Sequence, residues 1–122
     1  MELSLPYRTS PTRDFVDARR CPRYKLAVQI RVYARNSAVV RGNTVDISES
    51  GISALLRDEI PVGEIVRLEC SLPSGEIEAL AMVRQRNAFR YGFQFVDASV
   101  VQETIAHTCR QLAVEQSVTT QP

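Results

Sequence analysis

Apolar and polar positions alternate with a period of two over most of residues 26–96, the mark of half-buried β-strands. Leu26, Val28, Ile30 and Val32 interleave with Ala27, Gln29, Arg31 and Tyr33, which predicts a strand over residues 26–35. A second run, residues 38–45, is less clearly sided: Val39, Arg41, Asn43 and Val45 alternate with Val40, Gly42, Thr44 and Asp46. Asn36-Ser37 suits a turn between the two. Residues 52–56 form a short apolar strand, and residues 64–72 offer Ile65, Val66, Leu68 and Cys70 to a core. Pro73-Ser74-Gly75 reverses the chain and sets residues 77–85 antiparallel to the preceding strand. Residues 89–96 close the series, with Tyr91, Phe93 and Phe95 on one face and Gly92 and Gln94 on the other. Arg57-Asp58-Glu59 and Pro61-Val62-Gly63 punctuate the middle.

Six short strands separated by turn signals predict an all-β domain, a small six-stranded antiparallel β-barrel, whose closure removes exposed strand edges. After residue 97 the period becomes helical. Val101, Ile105, Cys109 and Leu112 form one apolar stripe, which predicts a C-terminal α-helix over residues 98–114 packed on the barrel. Ser99 and Gln102 stand at capping-box spacing at its start. Residues 1–18 read as an N-terminal arm with a helical turn over 12–18, and residues 115–122 as a polar tail. The domain proper is expected over residues 19–114, its barrel over 26–97.

A chain of 122 residues holds one domain with a modest core. Its formal net charge of +1 creates no global field, so any anion site must be local. That fits the bunching of Arg13, Arg19, Arg20 and Arg23. No apolar run approaches the roughly 20 residues that span a bilayer, and residues 1–10 lack a secretory signal, so the expected setting is cytoplasmic with no membrane contact. Three cysteines without a C-x-x-C pair argue against a disulfide framework or zinc site. Cys70 reads as a buried thiol, Cys21 is assigned no redox role, and His107, the one histidine, falls in the helix with a structural role. No nucleophile–base set, P-loop or paired-carboxylate signature is present, so the protein is not expected to be an enzyme and no cofactor is expected.

The candidate chemistry lies at the two ends of the first hairpin. Arg19-Arg20-Cys21-Pro22-Arg23 precedes it and Asp46-Ile47-Ser48-Glu49-Ser50-Gly51 follows it. Guanidinium groups bind phosphate bidentately and stack on flat π-faces. A carboxylate accepts paired hydrogen bonds from an N–H edge such as that of guanine, and a hydroxyl adds a further contact. A ligand carrying phosphates and guanines would suit both halves. Taken alone, the arginines describe a solvated basic segment. Asp46, Ser48 and Gly51 alone describe a turn, with Gly51 there for a positive φ or a close backbone approach.

Together, Arg19-x-x-x-Arg23 and Asp46-x-Ser48-x-x-Gly51 resemble the signature of the PilZ domain, a bacterial receptor for cyclic di-GMP, over about residues 19–97. The resemblance implies a six-stranded barrel with a C-terminal helix. It implies that Arg19 and Arg23 grip phosphate and stack on or hydrogen-bond guanine, with Arg20 either contacting the second guanine or pointing away. Asp46 and Ser48 would read a guanine edge, and Gly51 would keep the floor of the site open. Two or three charge-assisted hydrogen bonds plus stacking would supply about 8 kcal/mol, the scale of a micromolar dissociation constant. Ala18, where many relatives carry arginine or a bulky residue, favours one ligand molecule per site over an intercalated pair. The arginine segment would fold over the ligand and change the surface offered to a downstream protein. The family points to motility, adhesion or exopolysaccharide machinery for that protein. Two other readings remain. A PilZ-like interaction module would bind no nucleotide, whereas a small barrel binding single-stranded nucleic acid fits poorly with core-facing aromatics and a near-neutral charge. DNA and RNA are therefore not expected partners.

Overall fold

Antiparallel pairing accounts for nearly all of the regular structure between residues 24 and 97 in the computed structural model, which describes residues 21–35 and 38–120. The strands are β1 (Tyr24–Lys25), β2 (Gln29–Tyr33), β3 (Val40–Ile47), β4 (Gly51–Leu56), β5 (Ile65–Leu72), β6 (Gly75–Asn87) and β7 (Arg90–Asp97). A 3₁₀ turn (Ser99–Val101) leads into helix α1 (Gln102–Thr120). The hydrogen-bonded order is β1-β3-β2-β5-β6-β7-β4, and a further β3–β4 pairing closes β2 to β7 into a six-stranded barrel. The two-residue β1 is an addition outside that ring, pairing only with β3. The barrel and the C-terminal helix are therefore as the sequence predicts, with one strand more. The expectations for residues 1–18 and for the Asn36-Ser37 turn lie outside the described residues.

Residues 26–35 do not form one strand, because the chain is stitched to β3 in an irregular way at residues 26–28. Leu26 N–H donates to the Val45 carbonyl (3.1 Å) and Thr44 N–H donates to the Val28 carbonyl (2.8 Å). The buried Thr44 hydroxyl accepts from Val28 N–H (2.9 Å) and donates to the Leu26 carbonyl. These bonds surround a β-bulge, where the β3–β4 register jumps between Thr44 and Asp46. A bulge inserts one residue and re-aims the side chains after it. Val40 and Thr44 point into the core, and Asp46 shares their parity. In an unbroken strand of the same sequence its carboxylate would point inward as well. With it, Ile47 takes the core position and Asp46 turns to the outer surface.

The barrel interior is filled by Ile30 and Val32 from β2, Ile52, Ala54 and Leu56 from β4, Val66, Leu68, Cys70 and Leu72 from β5, and Tyr91 and Phe93 from β7. Strict alternation leaves Ile65 outside, opposite Met82 and 46% exposed, so its expected core position is corrected. Tyr91 keeps its ring in the core and its hydroxyl at the rim, accepting from Ile60 N–H (3.2 Å) and donating to the Asp58 carbonyl (3.3 Å). That fixes the loop between β4 and β5. Helix α1 buries Ile105, Cys109 and Leu112, as its stripe predicts. Burial pushes the Cys70 and Cys109 thiols up to about 11, which keeps both protonated and unreactive.

The start of the helix differs from expectation. Ser99 lies within the 3₁₀ turn and its hydroxyl meets Asp97 (3.5 Å) instead of capping α1, so no capping box forms. The helix also continues past residue 114 to Thr120. Its added turn is used: the Gln116 side-chain amide accepts from Lys25 N–H (3.1 Å) and donates to the Lys25 carbonyl (2.8 Å). Gln116 thus gives β1 the two hydrogen bonds that a further strand would have supplied. No described helix is long and apolar enough to cross a membrane.

On the outer face of β2, β5 and β6, Glu69 accepts from Tyr33 Oη (2.9 Å) and Arg31 Nε (3.1 Å), while Arg67 bridges Glu69 and Glu78 and stacks over the Tyr33 ring at 4.0 Å. The Tyr33 hydrogen bond, aided by Arg31, holds the Glu69 carboxyl below the usual carboxylate range. A depressed folded-state pKa stabilises the fold above the unfolded value and ceases to do so as pH falls through the folded value. Glu69→Gln should therefore lower the urea midpoint near neutral pH. Its difference from wild type should shrink through the acid range, as measured by denaturation at a series of pH values. Ile105→Ala should cost about 2–5 kcal/mol by urea denaturation at constant slope, and Ile65→Ala no more than about 0.5 kcal/mol.

Candidate functional site

Asp46 is the centre of the outer surface on the β3–β4 side, with a side chain 14% exposed. Three elements converge on its carboxylate. The β1–β3 pairing places Lys25 opposite Asp46, and Arg23, just before β1, reaches Oδ1 through Nη1 at 2.9 Å. Ser53 lies opposite Asp46 on β4 and donates its hydroxyl to the same oxygen at 2.6 Å. Arg90, the first residue of β7, donates from Nη2 to Oδ2 at 2.9 Å. Gln116 on α1 holds β1 in register and so fixes the starting point of the arginine segment.

The turn that follows is built by Ser48. Its hydroxyl is fully buried and accepts from the N–H groups of Ser50 and Gly51, both at 3.2 Å, with the Ser50 hydroxyl 3.1 Å away. Ser48 N–H donates to the Gly51 carbonyl (2.8 Å), and the Ser50 carbonyl accepts from Phe95 N–H (2.9 Å), which anchors the turn to β7. Of the two reasons for Gly51, close approach is the one the geometry bears out. Its φ is not in the left-handed region, and a Cβ there would sit 2.2 Å from the Phe93 carbonyl oxygen.

Of the sequence-predicted residues, the fold brings Arg23 and Asp46 into direct contact and places Ser48 and Gly51 in the adjoining turn. Arg19 and Arg20 lie outside the described residues. In this state Ser48 does what a turn serine does, whereas Asp46 bonds across strands instead of to its local backbone.

Arg90 and Ser53 are contacts of Asp46 that the sequence reading missed. Nothing near either in sequence marks them. Both depend on register, Ser53 on the step after the bulge and Arg90 on the β4–β7 pairing that sets it opposite Leu55.

Chemically the arrangement is a bracket for an anion. Two guanidinium groups, 51% and 52% exposed, are held about one carboxylate. Each spends one N–H on Asp46 and keeps four, of the five a guanidinium carries, for another acceptor. The bracket carries a net positive charge from its two arginines and one aspartate, and the planar guanidinium faces are open to stacking.

Several solved structures share the fold. The PilZ domain with c-di-GMP of YcgR from Escherichia coli superposes with a TM-score of 0.66 at 17% identity, covering 80% of this chain and 92% of that one. The PilZ domain of CeSA from a cellulose-synthesizing bacterium gives 0.58 at 18% identity, covering 78% and 98%. The Bacillus subtilis inhibitor of motility MotI/DgrA gives 0.64 at 20% identity, covering 82% of this chain and 51% of that one. A sequence comparison with curated proteins gave no match. The sequence profile of the PilZ domain matches residues 17–111, from just before the arginine segment to within the C-terminal helix. With that match over most of its length, the chain belongs to the PilZ domain family.

Proposed function

We propose that the protein is a receptor for cyclic di-GMP, with Arg19, Arg20, Arg23, Asp46, Ser48 and Gly51 forming the site and Arg90 and Ser53 completing it. The observation that carries this reading is the Asp46 carboxylate bracketed by Arg23 and Arg90 beside the Ser48–Gly51 turn. Family membership supports it, as does the YcgR PilZ domain of the same fold, whose structure was determined with c-di-GMP.

The bracket suggests how the ligand enters. Ion pairs between half-exposed arginines and a carboxylate are worth about 0–1 kcal/mol each, whereas a hydrogen bond to a charged group in a bound complex contributes about 1.5–3 kcal/mol. A phosphate can therefore draw Arg23 away from Asp46 at small cost. Arg90 and Ser53 remain on the carboxylate, so it is not left unpaired. The acceptor site that Arg23 vacates on Oδ1 becomes available to a guanine N–H edge. Ser48 and Gly51 contribute by holding the turn against β7. Arg19 and Arg20 add cation and stacking capacity from the same segment, and one ligand binds per protomer.

Signalling then runs through a downstream protein contacted in trans in the cytoplasm. One relative of the fold is an inhibitor of motility, which supports motility machinery as such a partner, with adhesion and exopolysaccharide machinery as the other family-level candidates. The ligand shifts the state of the protein only by its differential affinity for two states. In this reading those are the arginine segment closed on Asp46 and the segment closed on the ligand.

Calorimetric titration with cyclic di-GMP, beside GMP and GTP, tests the proposal. Wild type should bind only the cyclic ligand, with about one molecule per protomer. Arg23→Ala and Asp46→Ala should weaken binding by about tenfold or more, one lost charge-assisted contact each. Arg90→Ala should weaken it without abolishing it. Absence of binding by a folded sample would leave an interaction module that responds to no nucleotide, and two ligands per protomer would overturn the single-site reading. Hydrogen exchange offers a separate check, because ligand should raise amide protection over residues 12–25. Unchanged protection in a protein that does bind would remove the arginine segment from the signalling step.

A further inference from the structure

The outer face of β2, β3 and β4 carries a second feature that cyclic di-GMP binding does not use. A groove of about 810 Å³ runs across the three strands, and Arg31, Arg41, Asn43, Leu55, Arg57 and Phe89 line it. Strand alternation explains the set. Gln29 pairs with Asn43, Arg31 with Arg41, and Asn43 with Leu55, so side chains pointing away from the core meet along one track. Phe89 enters from the turn between β6 and β7.

Two properties of this groove are unusual for an idle surface. Its apolar members are strongly exposed, Leu55 at 50% and Phe89 at 63%. Among the described residues its cations outweigh its anions, since none of those lining it carries a carboxylate. Arg31 is neutralised by Glu69, but the guanidinium groups of Arg41 and Arg57 have no hydrogen-bond or ion-pair partner among the described residues. Several other arginines on the barrel are paired, Arg67 with Glu69 and Glu78, Arg86 with Glu59, and Arg23 and Arg90 with Asp46.

We propose that this groove docks an acidic peptide segment of a partner protein, one in which carboxylates flank a bulky apolar side chain. The apolar side chain would cover Leu55 and Phe89, the exposed centre of the groove. The flanking carboxylates would meet Arg41 and Arg57 in the forked geometry that guanidinium favours. The Asn43 amide, which can both donate and accept, would address the peptide backbone. Arginine is among the residue types enriched at interface hot spots. Strand addition is closed to the partner here, because β2, β3 and β4 are each paired on both sides. Recognition is therefore by side chains. Single-stranded nucleic acid is the less suitable occupant. Successive bases need a series of aromatic platforms over a basic track, and Phe89 is the one aromatic side chain among the described residues lining the groove.

The test is an amide-shift titration of the isotope-labelled full chain by nuclear magnetic resonance. The probes are a short peptide alternating glutamate and leucine, the same peptide with lysine for glutamate, and an oligouridylate. The acidic peptide should give saturable shifts centred on residues 41–43, 55–57 and 89. The charge-reversed pair Arg41→Glu and Arg57→Glu should weaken them by about tenfold. Leu55→Ser, which keeps every charge, should weaken them as well and serves if the charge-reversed protein does not fold. Cyclic di-GMP titrations should be unchanged in both, which separates failure of this groove from failure of the nucleotide site. Absence of saturable shifts there, equal shifts with the lysine peptide, or shifts with the oligouridylate alone would each overturn the proposal.

Discussion

One extra residue in β3 is the constraint on which the site depends. The strand must bury Val40 and Thr44 on one side and Ile47 on the other side of the bulge, and only a break in the period of two permits both. The break is held by the Thr44 hydroxyl, which satisfies the backbone at Leu26 and Val28 where a regular ladder would have done so. Its result is to expose a carboxylate. A buried, unpaired Asp46 would carry a desolvation penalty of several kcal/mol, whereas on the outer face it organises two arginines far apart in sequence. The same bonds define the path of residues 26–28 and therefore the position of β1 and Arg23.

The strengths of these contacts differ from one part of the molecule to another. The barrel wall is a closed set of backbone ladders over a core of branched apolar side chains, and nothing in it yields easily. Arg23, by contrast, precedes a strand of two residues held by β3 on one side and by a glutamine side chain on the other. Arg23 therefore stands at the margin of the ladder, with only β1 between it and the barrel. A ligand that competes for Arg23 works against half-exposed ion pairs alone and leaves the core packing untouched.

How much of this was legible follows from what pattern can and cannot carry. Period-two runs gave the barrel strands, and the spacing of Ile105, Cys109 and Leu112 gave the helix, because burial selects residue type directly. The bulge left only a weak trace, a second strand whose sidedness was unclear, because one inserted residue alters parity without altering composition. Ile65 misled because two adjacent apolar residues cannot both face a core in a strand, and Val66 holds that place. Ser99 misled because a capping pattern says nothing of a preceding 3₁₀ turn. The signature residues were readable as a linear motif. Arg90 and Ser53 were not, since they join Asp46 only through strand register, which no local spacing encodes.

Register also ties the site to the neighbouring groove. Along β4, Ser53 and Leu55 are successive outward positions, about 7 Å apart at strand rise. Ser53 donates to Asp46 and Leu55 forms the apolar part of the groove. Across the β4–β7 ladder, Leu55 faces Arg90, whose guanidinium grips the same carboxylate. One outer strip of the barrel thus presents a charged bracket and an arginine-flanked apolar groove side by side. Ladders on both sides of β4 fix the distance between them. Arg23 meets Asp46 from outside the closed ring, ahead of the two-residue β1. If the proposed nucleotide reading holds, a ligand drawing Arg23 from Asp46 would alter the side chains over this strip while the ladders beneath it stay as they are, so a partner touching the strip would read side-chain rearrangement, not deformation of the barrel.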